Sequence, residues 1–126
     1  NAVGTLEVRS PVPPPEEPEF SVRIGGGVFS VPVGERVLFD ISVTNLSDVD
    51  ARCDMMHYLD GTPSAGTYFH MDTIPAGQTV VNPGPWFKRG ISIMSPVAGS
   101  RNYRICVMSR PTGLHRDCDS TVLTWY

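Results

Sequence analysis

The chain has 126 residues, with 13 acidic side chains against 10 basic ones and a net charge of -3, which excludes the basic field that gathers nucleic acid or an anionic membrane surface. No apolar run approaches the roughly 20 residues of a membrane-spanning helix. Twelve prolines and 12 glycines spread among short apolar alternations favour an all-β chain over a helical one. The length suits one domain with a core of its own. The chain opens on Asn1 with no secretory leader pattern, so a processed or trimmed terminus is expected.

Taken in order, residues 1–18 read as an extended N-terminal arm and its linker, and residues 19–126 as the folded domain. Within the arm, Thr5, Leu6, Glu7 and Val8 alternate like a short strand. Pro11 to Pro18 follows as a semi-rigid polyproline-type spacer. A terminal segment of this kind is either a plain leader or an arm that adds a strand to a neighbour.

Phe20 to Ile24 alternates, Gly25-Gly26-Gly27 is expected to break it, and Val28 to Val33 resumes it. Pro32 confines that second run to a sheet edge or a sheet-switching position. The strongest signal is Val37 to Val43, where Val37, Phe39, Ile41 and Val43 share one face and Leu38, Asp40 and Ser42 the other. A period of two predicts a strand with one buried face and one wet face. Turn chemistry follows from Asn45 to Asp50, and Ala51 to Leu59 is the next strand, ending at Asp60-Gly61.

Further short strands are expected over Thr67–Met71, Thr79–Val81 and Phe87–Met94, the last broken at Gly90. Asn82-Pro83-Gly84-Pro85 interrupts before it. Tyr103, Ile105 and Val107 mark an inward face, a hairpin turns around Thr112, and Asp117 to Tyr126 closes the sheet. Seven to eight strands at this spacing describe an Ig-like antiparallel β-sandwich.

With the strands laid out, three local runs resemble the CARDB family, the bacterial cell-adhesion-related Ig-like domains. They are Val33-Gly34-Glu35 leading through Val37–Thr44 to Asn45 and Ala51; Tyr58-Leu59-Asp60-Gly61 followed by Ile74-Pro75-Ala76-Gly77-Gln78; and Pro96-Val97-Ala98-Gly99 before Tyr103-Arg104-Ile105. The likeness covers residues 20–110. Ser47 stands where the family usually has glycine, and the family's acidic, Asn-rich ending is missing after Asp119. The resemblance implies a non-catalytic extracellular fold used for spacing, adhesion or assembly, and it brings no catalytic residue and no cofactor.

Three cysteines, Cys53, Cys106 and Cys118, form no C-x-x-C pair for zinc or dithiol chemistry. If Tyr103, Ile105 and Val107 face inward, Cys106 faces outward, and the hairpin about Thr112 sets Cys118 opposite it. Cys53, on the strand expected at the other side, is the alternative partner. A cytosolic chain would instead keep all three as thiols.

His57, His70 and His115 each stand near an aspartate, yet no two share a local ligand spacing. Polar decoration of strand edges is therefore preferred to a zinc site. There is no G-x-S-x-G and no phosphate loop, and the glycine triplet opens onto a strand rather than a helix N-terminus. Trp86 and Phe87, with Tyr68 and Phe69, are candidates for an aromatic platform contacting a glycan or partner, although strand aromatics more often fill cores. Asn45-Leu46-Ser47 is a glycosylation sequon in an expected turn.

These residues point first to a non-catalytic extracellular or cell-surface assembly protein, a subunit meeting other copies of itself through its arm. A carbohydrate- or receptor-binding adhesion module, and a decoration protein on a virion surface, are the alternatives.

Overall fold

The computed structural model describes residues 17–63, 69–84 and 88–126. Ten strand segments follow in chain order: β1 Phe20–Val28, β2 Ser30–Val31, β3 Arg36–Asn45, β4 Asp54–Leu59, β5 Thr62–Pro63, β6 Phe69–His70, β7 Thr79–Val81, β8 Ile91–Met94, β9 Gly99–Met108 and β10 Arg116–Trp125. They form two sheets. In the first, β3 lies between β1 on one side and β7 and β8 on the other; the second runs β2-β10-β9-β4, with β5 and β6 both on β4. The described residues contain no helix. The segments outnumber the expected seven to eight because three of them are two-residue pairings and because β7 and β8 share one flank of β3.

The alternation in β3 sets the core. Val37, Phe39, Ile41 and Val43 are at most 1% exposed, whereas Leu38 is 47% exposed. Facing them from the second sheet are Met55, Tyr103, Ile105, Leu123 and Trp125, all buried. Phe39 stacks on Phe29 at 5.3 Å and meets Tyr103 edge-on at 5.1 Å, geometries aromatic pairs prefer.

The glycine triplet does not break the first strand. Instead β1 passes through it with a bulge, its pairing with β3 shifting between Ile24 and Gly27. A Cβ at Gly27 would lie 2.4 Å from the Leu38 carbonyl oxygen, so the missing side chain is what lets the two backbones meet. The switch of sheets falls at Phe29: Val28 still pairs with Leu38, while Ser30 and Val31 run parallel to the end of β10. Pro32 follows immediately, where it needs no ladder donor.

β1 is an edge strand, yet its free side is capped. The Val22 N–H donates to Asp117 Oδ2 (2.9 Å) and the Ile24 N–H to Asp119 Oδ2 (2.7 Å), both carboxylates belonging to β10 of the other sheet. Between β7 and β8 a buried asparagine stands in for a missing ladder rung. Asn82 exchanges backbone and side-chain hydrogen bonds with Ile41 (2.8 and 3.0 Å), and its Nδ2 reaches Asp40 (2.9 Å).

Candidate functional site

Register assigns the outer face of the second sheet residue by residue. Met56 on β4 pairs with Cys106 on β9, which pairs with Cys118 on β10; one row along, Tyr58, Arg104 and Ser120 align, and Asn102 then meets Val122. Residues opposite one another share a face, so Tyr58, Asn102, Arg104, Arg116, Ser120 and Val122 surround one groove of about 520 Å3. Cys106 and Cys118, in the neighbouring row of the same face, are joined in a disulfide.

Cys53 could not have taken that place. It precedes β4 on the inward phase, with Met55, and is wholly buried, so its sulfur lies on the other face of the sheet from Cys106. Burial pushes its thiol up to about 12, with Asp54 adding to the effect. Cys106 does point outward, but it is also fully buried, covered by its own bonded partner and by side chains crossing the face.

Those side chains are two arginines. Arg104 Nη2 lies 3.4 Å from Cys118 Sγ and Arg116 Nη2 3.5 Å from Cys106 Sγ. Since the two sulfurs are bonded, both guanidiniums sit over one disulfide. Arg116 also donates to the Tyr58 hydroxyl (3.1 Å), its Cζ 6.0 Å from the ring centroid. Neither guanidinium forms an ion pair with a carboxylate among the described residues. By contrast, Arg23, Arg101 and Arg110 pair with Asp117, Asp60 and Asp54. This arginine pair was missed in the sequence; the signal for it was the outward phase of β9 and β10, usable once the hairpin register is fixed.

A second constellation holds the start of the domain. The Glu17 carboxylate accepts from Ser109 Oγ (2.6 Å), the Thr112 N–H (3.1 Å), the Thr112 hydroxyl and the Leu114 N–H (3.4 Å). Glu17, read in the sequence as linker, is thus bound by the β9–β10 hairpin loop. The Ser109 hydroxyl, then that of Thr112, hold its carboxyl down at about 2, against an ordinary 4.5. A depressed carboxyl favours the folded contact above about pH 4.5 and loses that effect as pH falls through about 2. Carboxyl-detected NMR should therefore find Glu17 titrating near 2, with the Thr112 amide moving in step. A midpoint near 4.5 would mean the contact does not persist in solution.

Asn45, the residue of the sequon, is a buried part of the turn in this fold. It is 0% exposed; its Nδ2 donates to the Val49 and Ile74 carbonyls (2.8 and 2.9 Å), and its Oδ1 accepts from the N–H and hydroxyl of Ser47 (2.9 and 2.6 Å). The nitrogen a glycan would need is committed to the turn, so the sequon reads as an Asx turn. The histidines lie apart in role. His57 contacts the Tyr103 hydroxyl (3.0 Å), with burial lowering its pKa, His70 contacts Asp54 (2.7 Å) and His115 contacts Glu19 (3.3 Å). No group of three or more metal-ligating side chains occurs among the described residues. The arm residues Thr5, Leu6, Glu7 and Val8 and the aromatic candidates Tyr68, Trp86 and Phe87 lie outside the described residues.

No family description matches the chain, and no curated protein sequence does. Among solved structures it is similar to the CARDB domain of the PF1109 protein from Pyrococcus furiosus, solved in complex with di-metal ions. That match has 14% identity over 88% of this chain and 90% of that one, with a TM-score of 0.63. It is also similar to part of a beta-glucosidase from Listeria innocua, at 15% identity and a TM-score of 0.50, over 86% of this chain but 16% of the enzyme. At such identities the likeness is one of fold: an Ig-like β-sandwich of the CARDB type.

Proposed function

From a CARDB-like sandwich as premise, we propose that this protein is a non-catalytic extracellular assembly module whose N-terminal arm adds a strand to a neighbouring copy. The observation that carries this reading is the Glu17 clamp. Four donors from one hairpin loop hold the root of the proline-rich segment, and Leu46 N–H donates to the Glu19 carbonyl on the other side (2.8 Å). The arm therefore leaves from a fixed point. An extended polyproline run of six residues spans about 19 Å at ~3.1 Å per residue, enough to cross to an adjoining subunit.

A receiving edge needs free backbone groups. The side-chain carboxylates of Asp117 and Asp119 occupy that side of β1, whereas among the described residues β8 pairs with β3 alone and offers four residues, Ile91–Met94. Four residues is also the length of the Thr5–Val8 alternation. The Cys106–Cys118 disulfide accords with an oxidising compartment, and no helix among the described residues is long and apolar enough to cross a membrane.

The test is the mass distribution of the full chain by sedimentation at increasing concentration, beside a Leu6→Pro, Val8→Pro double variant. Proline keeps the arm's length and removes its ladder donors. Self-association that is abolished in the variant supports the reading. Equal association in both, or a monomer throughout, overturns it.

A further inference from the structure

We infer that the groove on the β4–β9–β10 face is a binding site for an acidic sugar, a uronate-type saccharide whose carboxylate is taken by Arg104 and Arg116. The inference concerns a different surface from the arm and stands or falls separately from it.

Charge gives the first argument. On a chain of net charge -3, Arg104 and Arg116 stand together on one face with no ion pair to a carboxylate among the described residues, whereas Arg23, Arg101 and Arg110 each have one. Both are held in place. Each guanidinium rests on a sulfur of the same disulfide, and Arg116 is further aligned by the Tyr58 hydroxyl. A guanidinium has five donors in a planar fork, so these contacts leave several N–H groups for a ligand. The disulfide ties β9 to β10 directly under them, which limits how far the two forks can drift apart. A planar fork matches a carboxylate in bidentate fashion.

The surroundings decide which carboxylate. A volume of about 520 Å3 lies within the roughly 300–1,000 Å3 of small-molecule sites and exceeds what a lone inorganic anion fills. Beside the cations stand neutral groups with both donor and acceptor capacity, Asn102 and Ser120, both exposed. These suit hydroxyls. Val122, 51% exposed, offers one small apolar surface for the C–H face of a sugar ring. Tyr58, its ring beside the Arg116 guanidinium, adds an aromatic face to the lining, and a sugar ring stacks on such a face where a glutamate side chain has no ring to offer.

The experiment is a titration of the full, disulfide-intact, 15N-labelled chain with digalacturonate, with the same disaccharide after reduction of its carboxylates to alcohols, and with a glutamate-rich peptide. Digalacturonate should shift the amides around Tyr58, Asn102, Arg104, Arg116 and Ser120 and leave the Glu17 clamp untouched. The reduced disaccharide should bind at least ~10-fold more weakly, the scale of losing a charge-assisted hydrogen bond. Arg104→Ala and Arg116→Ala should each weaken the acidic sugar by a similar factor, with Arg116→Lys recovering it only in part. Both arginines are exposed, so the variants should keep the amide spectrum of the core; were Arg116→Ala to unfold, Arg104→Ala and Arg116→Lys carry the same test. Equal binding of the acidic and reduced sugars, wild-type affinity in the arginine variants, or tighter binding of the peptide at the same amides would overturn the assignment.

Discussion

Replacing Phe39 by alanine is expected to cost about 3–5 kcal/mol, the range for deleting a buried phenylalanine. Phe39 is 1% exposed and joins the two sheets, stacked on Phe29 and edge-on to Tyr103. Tyr103 in turn meets His57 edge-on at 5.6 Å, so one aromatic chain runs through the middle of the sandwich. The backbone around Phe39 cannot close on a cavity. Gly27 lies against its Cα from β1 and Gly90 against its carbonyl, where added Cβ atoms would sit at 2.4 and 2.7 Å. Strands already this close leave little room to relax, which places the loss at the upper part of the range. The paired control is Leu38→Ala, one residue along and 47% exposed, which should change stability by no more than about 0.5 kcal/mol. Urea melts of the oxidised protein measure both. A Leu38 loss as large as that of Phe39 would show that the outer face of β3 is covered in solution.

The same strand shows how far the fold was legible in sequence. Strict alternation over Val37–Val43 predicts a half-buried strand because one face only can meet the core, and the four inward residues are the buried ones. The hairpin about Thr112 is equally local, since a tight turn fixes register, and Cys106 meets Cys118 through it. What could not be read depends on contacts across the sandwich. The glycine triplet looks like a break, and only the approach of β3 makes it a bulge. Glu17 sits in a proline-rich run, and nothing nearby in sequence announces Ser109, Thr112 and Leu114, which lie more than 90 residues away. The groove is an intermediate case. Arg104 was on an outward phase, but Arg116 and Tyr58 join it only once three strands are in register.

Asn45 tests the other kind of buried residue, the polar one. Asn45→Ala is expected to cost at least about 2 kcal/mol, because it leaves the Ser47 N–H without its acceptor and removes the buried amide's bonds to the Val49 and Ile74 carbonyls, which keep only the Ser47 hydroxyl and the Ala51 N–H, at roughly 1 kcal/mol for each bond lost and more for the unsatisfied donor. Asn45 is wholly buried, and its amide is the link between the 45–50 turn and Ile74. Ser47→Ala removes the sequon just as completely, but it deletes only a hydroxyl and leaves Asn45 with both carbonyls and the Ser47 N–H. Its loss should stay near the roughly 0.5–1.5 kcal/mol of one hydrogen bond. A glycan acting through Asn45 would make the two variants equal, so their inequality separates structure from modification. The mass of protein secreted from a glycosylating host gives the independent reading, expected to be that of the bare chain. The turn also supports the root of the arm, since Leu46 N–H donates to the Glu19 carbonyl. Loosening it in Asn45→Ala should therefore let Glu17 titrate closer to its ordinary 4.5, while Ser47→Ala leaves it near 2. If both variants leave Glu17 low, the clamp is held by the hairpin loop alone and the Asn45 turn has no part in anchoring the arm.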